Sequence, residues 1–396
     1  MPESAGLASG VSDEQFRVMV RDWLAANLAG EYAALRGAGG PGREHEAFEQ
    51  RLAWDRSLHE AGWTPLSWPR EHGGRGASLS KQLIFHEEYA RSGAPARVSH
   101  MGEQLLGPTL IEFGTPAQQA RFLPAIASVT ELWCQGFSEP GAGSDLASVS
   151  TSGRIAGGHW EISGQKVWTS LAHVADWCFV LARTEAGSRR SAGLSILLVP
   201  MRQEGVTVRP IRQLTGTSEF NEVFFDGART DAGLVLGEIG KGWQVARFLL
   251  GVERGAATFG QQIQFRRELD EVIAYAKRTG AVSDPVLRER IARAWVGLEV
   301  LRAFALDTVG GAGSANSADA SVAKLLWARW HKALGELAMD VRGAEGMVAT
   351  AAPYELDAWQ RLYLFGRADT IYGGSDEIQL GIIASRELGL APGGSA

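Results

Sequence analysis

Cysteine is nearly absent from this chain. Cys134 and Cys178 are the only two among 396 residues, too few for a disulfide framework and without the clustered spacing of a zinc site. That scarcity points to a reducing compartment and to no metal. Proline is sparse beside glycine, 14 against 49, without the period of a collagen. Charged residues at 21% and hydrophobic residues at 45% do not fit the disordered class either. Positive charge is not in excess: 39 Lys and Arg against 45 Asp and Glu leave a net charge of -6, the wrong sign for a surface that neutralises phosphates. Nucleic acid is therefore not an expected partner. Long apolar runs are missing as well, none approaching the ~18 residues of a membrane span. The opening MPESAGLASGVSDEQ lacks the basic and then apolar pattern of a leader. The expectation is a cytoplasmic protein with no membrane span.

What is present is a segregated pattern. From about Ser12 to Ala127 the chain reads as helices: Ser12 with Gln15 forms a capping-box signature, and Phe16, Met19, Val20, Trp23, Leu24 and Leu28 recur at helical spacing. Further stripes run from Phe48 to His59 and from Leu79 to Tyr89, around the Gly-, Pro- and aromatic-rich loop GWTPLSWPREHGGRGAS. From about Glu131 the period shortens. TSGRIAGGHWEISGQKVWTS, DWCFVLART, GLSILLVP, GVTVRPI and NEVFFDG are short alternating or apolar runs bounded by turn residues. Helical spacing returns after Gly240, with Val245, Leu249, Val252, Ala256, Phe259 and Ile263 on one stripe, and continues through Asp284 to Gly310, Asp319 to Gly343 and Glu377 to Leu388. The segment GGAGSANSAD and the tail APGGSA read as solvated loop. Helices, then strands, then helices argue against a doubly wound sheet and for an α+β chain of three domains, residues 1–130, 131–240 and 241–396.

The sharpest local signal is GFSEPGAGSD, Gly136 to Asp145, where helices give way to strands. Its glycines allow close approach of a ligand, and its N–H, hydroxyl and carboxylate groups suit polar atoms of a phosphate or flavin. From composition alone, a glycine-rich turn between domains reads nearly as well. Taken with GQKVWTS at Gly164 to Ser170 and IYGGSDEIQ at Ile371 to Gln379, however, WCQGFSEPGAGSD closely resembles the acyl-CoA dehydrogenase family in motif order and spacing. WPREHGG, Trp68 to Gly74, is similar to a further loop of many members.

The resemblance implies an N-terminal α domain, a middle β-barrel and a C-terminal helical bundle, with non-covalent FAD between the last two. It implies that Phe137 and Ser138 lie by the isoalloxazine, with Gln135 and Gly143 nearby. Trp168 would pack against the ring and Ser170 would bond near its hydride-accepting nitrogen. Ser144 would line the loop and contact CoA. Ser375 and Glu377 match positions near the FAD pyrophosphate and adenosine, Glu377 accepting from a ribose hydroxyl or capping the helix that follows. DVRGAEG, from Asp340, is similar to a segment that reaches FAD across a subunit interface, with Asp340 in place of Gln and Ala344 in place of Gly. Arg278 stands where the family has RxxFG. The implied partners are an acyl-CoA, an electron-transfer flavoprotein and further subunits, either identical in a dimer or tetramer or of a second kind.

Dehydrogenation of a thioester needs a desolvated carboxylate to take the α-proton. In many members of the family it follows the Tyr of IYxG, but here Tyr372 is followed by Gly373. Other members, of the isovaleryl and long-chain types, place it on the first C-terminal helix before an arginine, which Glu253 and Arg254 match. Glu253 also borders apolar surface, with Leu249, Leu250, Ala256 and Ala257 three and four residues away. Arg254 points about 100° around the helix, toward an active-site loop or CoA. Gly373 keeps the backbone N–H that donates to the thioester oxygen in the family. His100, Glu103 and Gln104 match the helix lining the acyl cavity, although exposure to solvent is the stronger reading of them. The expected reaction is oxidation of an acyl-CoA, or of a carrier-bound acyl thioester, to its trans-2-enoyl form. A flavin oxidase or monooxygenase of the same fold and a silent subunit of a heteromer are the alternatives.

Overall fold

The first helix begins where Ser12 and Gln15 satisfy each other's backbone: Ser12 Oγ accepts from the Gln15 N–H (3.2 Å) and Gln15 Oε1 from the Ser12 N–H (2.8 Å). In the computed structural model, which describes residues 10–252, 257–310, 317–352 and 354–390, this helix, α1 (Asp13–Asn27), buries Phe16, Val20 and Leu24. The loop expected over 310–319 falls mostly, and the tail 391–396 wholly, outside the described residues. After α1 come α2 (Phe48–Glu60), α3 (Leu79–Ser92), π-helical turns at Met101–Leu106, α4 (Gly107–Phe113) and α5 (Pro116–Ala127). A second capping box, Thr115 with Gln118, starts α5. Asp55, fully buried within α2, accepts from the N–H groups of Val98 and Ser99 (both 3.0 Å) and from Arg97, so a helix carboxylate pins the loop before the π-helical turns.

The strands are β1 (Trp133–Gly136), β2 (Ser152–Ala156), β3 (His159–Ser170), β4 (Trp177–Arg183), β5 (Leu194–Pro200), β6 (Val206–Ile211), β7 (Phe220–Asp231) and β8 (Val235–Leu236). They form one sheet ordered β6-β7-β3-β2-β4-β5-β8, with β1 parallel beside β4. Alternation along β7 turns Asn221, Val223, Phe225, Ala228 and Thr230 inward. Trp160 and Ile162 of β3, Val180 and Ala182 of β4, Leu197 and Val199 of β5 and Val223 and Phe225 of β7 share one core, so the sheet curls around its own apolar face. Its end strands β6 and β8 do not pair, which leaves the barrel open. The opposite face of β4 and β5, carrying Phe179, Leu181, Ile196 and Leu198, packs on Leu106, Leu110, Phe122 and Ile126 and on Val245 and Leu249 of α6 (Gly242–Val252). Coverage on both faces explains why these two strands read as continuous apolar runs.

The chain divides into two compact units. Everything above belongs to the first, apart from residues 85–91 of α3. The second contains α7 (Ala257–Thr279), α8 (Pro285–Gly310), α9 (Ser317–Arg342), α10 (Ala358–Phe365) and α11 (Asp376–Arg386). Phe265, Leu269 and Val272 of α7, Leu298 and Leu301 of α8 and Leu334, Leu337 and Ala338 of α9 make its core. Gly297 lets α8 close on α9, since a Cβ there would sit 2.7 Å from the Trp330 ring.

Candidate active site

In the first unit the site residues hang on β1 and β3. Gly136 ends β1 where no side chain fits, because a Cβ would lie 2.9 Å from Cys178 Sγ. The chain then turns: Phe137 is buried edge-on against Phe179 at 5.9 Å, and Glu139 and Ala142 exchange backbone hydrogen bonds (3.1 and 3.0 Å). Three bonds join this loop to β3. The Val167 N–H donates to Ser138 O (2.9 Å), and Lys166 Nζ donates to Phe137 O (2.9 Å) and Glu139 Oε1 (2.8 Å).

Lys166 and Glu139 form a buried ion pair with further support. Glu139 also accepts from the Thr151 N–H (2.8 Å) and from the N–H and hydroxyl of Ser150 (both 2.7 Å). Burial alone would raise the Glu139 carboxyl, but Lys166 and these donors outweigh it and hold it at about 2. Burial pulls the Lys166 ammonium down to about 8, even against the attraction of Glu139.

Two residues on, β3 bulges between Lys166 and Thr169 against β7. Trp168 stands at this bulge with φ +59 and 57% of its surface exposed, an unusual setting for an indole, touching Phe220 edge-on at 6.1 Å. Fully buried Asn221 donates to Thr169 O (3.0 Å) and fixes the strand between Trp168 and Ser170. The half-buried hydroxyls of Ser138 and Ser170 have no protein partner among the described residues, and Gln135 is half-buried on β1. Gly143 and Ser144 are exposed on the outer part of the loop. The structure thus joins Phe137 and Ser138 to the strand bearing Trp168 and Ser170.

Of the acyl-cavity candidates, none is exposed. His100, Glu103 and Gln104 are half-buried, because Arg97 bonds both Asp55 and Glu103 and the Trp68 indole N–H donates to Glu103 O (2.9 Å).

In the second unit, Tyr372 to Gln379 fold into a turn and a cap. Gly373 and Gly374 take φ +63 and +91, where a side chain is disfavoured. Fully buried Gln379 donates through Nε2 to Gly373 O (3.1 Å) and Gly374 O (3.3 Å). Gly373 is exposed, and its N–H has no acceptor among the described residues. Ser375 is the N-cap of α11, accepting from the Ile378 N–H (3.4 Å). Glu377 lies in the first helical turn, where its own N–H and the Ser375 hydroxyl hold its carboxyl below the usual range. The cap role expected of Glu377 therefore falls to Ser375. Arg278 and Asp340 have partners elsewhere: Arg278 lies over the Tyr275 ring at 5.1 Å and Asp340 pairs with Arg290 at 2.6 Å. Glu253 and Arg254 lie outside the described residues.

Sequence reasoning missed the Lys166–Glu139 pair, although one signal was available. Lys166 keeps the inward phase of Trp160 and Ile162 along β3, and a lysine on the buried face of a strand needs a partner.

Comparison with known proteins agrees with this architecture. The family descriptions "Acyl-CoA dehydrogenase, N-terminal domain", "middle domain" and "C-terminal domain" match residues 12–130, 134–228 and 240–388. The chain is 63% identical to acyl-CoA dehydrogenase IpdE1 of Mycobacterium tuberculosis, over 95% of this chain and 97% of that protein. Among solved structures it is similar to the Tcur3481-Tcur3483 steroid ACAD (TM-score 0.83, 28% identity, 97% and 99% of the two chains). It is also similar to the ChsE4-ChsE5 complex of Mycobacterium tuberculosis (TM-score 0.81, 28% identity, 96% and 97%). The chain belongs to the acyl-CoA dehydrogenase family.

Proposed function

We propose that this chain oxidises an acyl-CoA, or a carrier-bound acyl thioester, to the trans-2-enoyl thioester, using FAD and passing electrons to an electron-transfer flavoprotein. The observation that carries the reading is Gly373: an exposed glycine whose N–H has no acceptor among the described residues, at a position that presents no carboxylate. Such a donor suits the thioester oxygen, where negative charge grows as the α-proton leaves. The base must then come from elsewhere, and Glu253 is the residue proposed, with Arg254 beside it ordering a loop or CoA.

The residues present fit a flavin. Ser138 and Ser170 offer hydroxyls without partners among the described residues, Trp168 offers an exposed indole, and a Cβ at Gly141 or Gly143 would meet nothing within 4 Å. These residues, with Gln135, Phe137 and Ser144, would hold its ring end. Ser375 and Glu377, at a helix N-terminus, would hold its polar end. The chemistry FAD supplies when bound is acceptance of the β-hydrogen as hydride. A similar structure titled steroid ACAD supports a bulky polycyclic acyl group, and the similar two-component ChsE4-ChsE5 complex supports assembly with a second subunit; a homodimer or homotetramer is the other assembly proposed.

The test is anaerobic titration of the purified yellow protein with a panel of acyl-CoAs, steroid side-chain thioesters included. Loss of oxidised-flavin absorbance with one of them is the expected result. Colourless protein that takes up no FAD would favour a silent subunit, and rapid peroxide formation in air would favour an oxidase or monooxygenase.

Trp168→Gly separates ring contact from structural support. Relief of the positive φ, worth about 1–2 kcal/mol, offsets glycine's chain entropy and the lost Phe220 contact. Stability of the FAD-free protein should therefore stay within about 1 kcal/mol, while FAD retention on dilution falls roughly 10-fold. Unchanged retention would remove Trp168 from the cofactor site.

A further inference from the structure

Next to the Tyr372–Gly374 turn lies a polar chain, centred on one buried carboxylate, for which neither the base nor the cofactor reading has a use. Asp369 is 1% exposed. Its Oδ1 accepts from the Tyr372 hydroxyl (2.9 Å), its Oδ2 faces His331 Nδ1 (2.6 Å), and its backbone carbonyl accepts from the Lys324 ammonium. The other ring nitrogen, His331 Nε2, faces Glu268 Oε2 (3.0 Å), and Glu268 Oε1 accepts from Gln264 (3.0 Å). Phe265 stacks on the imidazole at 4.4 Å and closes one face of it.

An imidazole with a carboxylate at each nitrogen satisfies both only by carrying both protons. Burial alone would lower its pKa, but hydrogen bonds and charge from Asp369 and Glu268 carry it up to about 9. The other charged groups around it are engaged. Lys324 binds the Asp369 carbonyl, Arg329 pairs with Asp376 (2.7 Å), and Arg367 pairs with Glu336 (2.5 Å).

Backbone bonds clamp the ends of the turn, from the Tyr372 N–H to Ala368 O (3.0 Å) and from the Asp376 N–H to Thr370 O (3.1 Å), but its two glycines are held less directly. Two consecutive glycines at positive φ have the greatest freedom to lose on ordering, and Gln379 holds only their carbonyls. The Asp369 carboxylate ties the residue that enters the turn to Tyr372, the residue just before Gly373. His331, spanning from α9 to Glu268 on α7, fixes that carboxylate to the bundle.

We propose that Glu268, His331 and Asp369 form a positioning relay that fixes the Tyr372–Gly374 turn and so aims the Gly373 N–H at the thioester oxygen. This rests on the proposed role of that N–H. The relay acts through the turn and touches no reacting atom. It would make turn order and reaction rate fall together when His331 loses its proton.

The test uses the FAD-loaded protein and its His331→Gln and Tyr372→Phe variants, the second removing one hydroxyl without disturbing the bundle. Amide hydrogen exchange of residues 369–376 should speed up at least 10-fold in both variants, while exchange in β4 and β5 stays as in the wild type. With the acyl-CoA that reduces wild-type flavin fastest, the reduction rate should fall roughly 10-fold and the acyl-CoA Kd should stay within about 2-fold. In the wild type, protection of the turn, corrected for intrinsic exchange, should drop as pH rises through about 9, and His331→Gln should lack that step. Unchanged exchange in Tyr372→Phe, or faster exchange with no change in rate, overturns the relay. Glu253→Gln separates it from the base reading: a wild-type reduction rate there sinks the base, and the exchange result still judges the relay.

Discussion

Glu253→Gln should slow reduction of the flavin by acyl-CoA by roughly 10²- to 10⁴-fold, the range for loss of a general base. The amide keeps the size of the side chain and removes only the proton acceptor. Acyl-CoA binding, read from perturbation of the flavin spectrum before reduction, should survive. Stopped-flow reduction at the wild-type rate would end the assignment and send the search for a base to another residue. A second variant tests the geometry of the choice. Gly373→Glu in a Glu253→Gly background returns a carboxylate to the turn used by other family members, and part of the lost rate should return with it. The structure sets two limits on that recovery. A Cβ at Gly373 meets only Lys324 Cε at 3.7 Å, so there is room for it. But φ +63 disfavours a side chain there by about 1–2 kcal/mol, and the nearby Lys324 ammonium competes for the new carboxylate.

The order of helices, strands and helices was legible because hydrophobic period changes from 3.6 to 2 and back, and each change coincides with turn residues. The capping box at Ser12 and the inward alternation of β7 were readable from a few residues each, because such signals are local. The curl of the sheet was not. It depends on residues as distant as Trp160 and Leu197 sharing one core, and nothing local to either reports that.

The site divides in the same way. Motif residues proposed to face a ligand, Ser138, Trp168, Ser170 and Gly373, stand out by resemblance because the chemistry proposed for them lies in the motif itself. Residues that hold the motifs in place come from far along the chain. His331 sits amid Trp327, Trp330 and Leu334 on α9 and reads as one more core position. Only the fold brings Glu268 and Asp369 to its two nitrogens. Glu377 illustrates the converse. Sequence left it a choice of ribose contact or cap; the Ile378 N–H donates to the Ser375 hydroxyl oxygen, which gives the cap to Ser375, while the Glu377 carboxyl is held by its own N–H and the Ser375 hydroxyl.

Glu139→Gln should destabilise the first unit by about 3 kcal/mol or more, in the range for breaking a buried ion pair from one side, and release FAD from the loop it supports. The reason is a count of donors. Oε1 of Glu139 receives Lys166 Nζ and the Thr151 N–H, and Oε2 receives the N–H and hydroxyl of Ser150. An amide has one oxygen to offer, so in either orientation its NH₂ group confronts a donor. With the NH₂ group at the Oε1 position, fully buried Lys166 keeps only Phe137 O as acceptor, and in both orientations it loses its counter-charge. Adding Lys166→Met removes the stranded ammonium and should recover part of the loss. The pH dependence gives an independent sign. The Glu139 carboxyl sits at about 2 when folded against an ordinary 4.5, so its contribution is fully present above pH 4.5 and is lost as pH falls toward 2. The gap in melting temperature between wild type and Glu139→Gln should therefore be largest between about pH 5 and 7 and narrow below pH 5 as Glu139 protonates; above pH 7 loss of the Lys166 proton, at about 8 in the wild type, also narrows it. Melting curves that coincide at pH 7, with FAD retained, would show that the Lys166–Glu139 pair does not hold the loop.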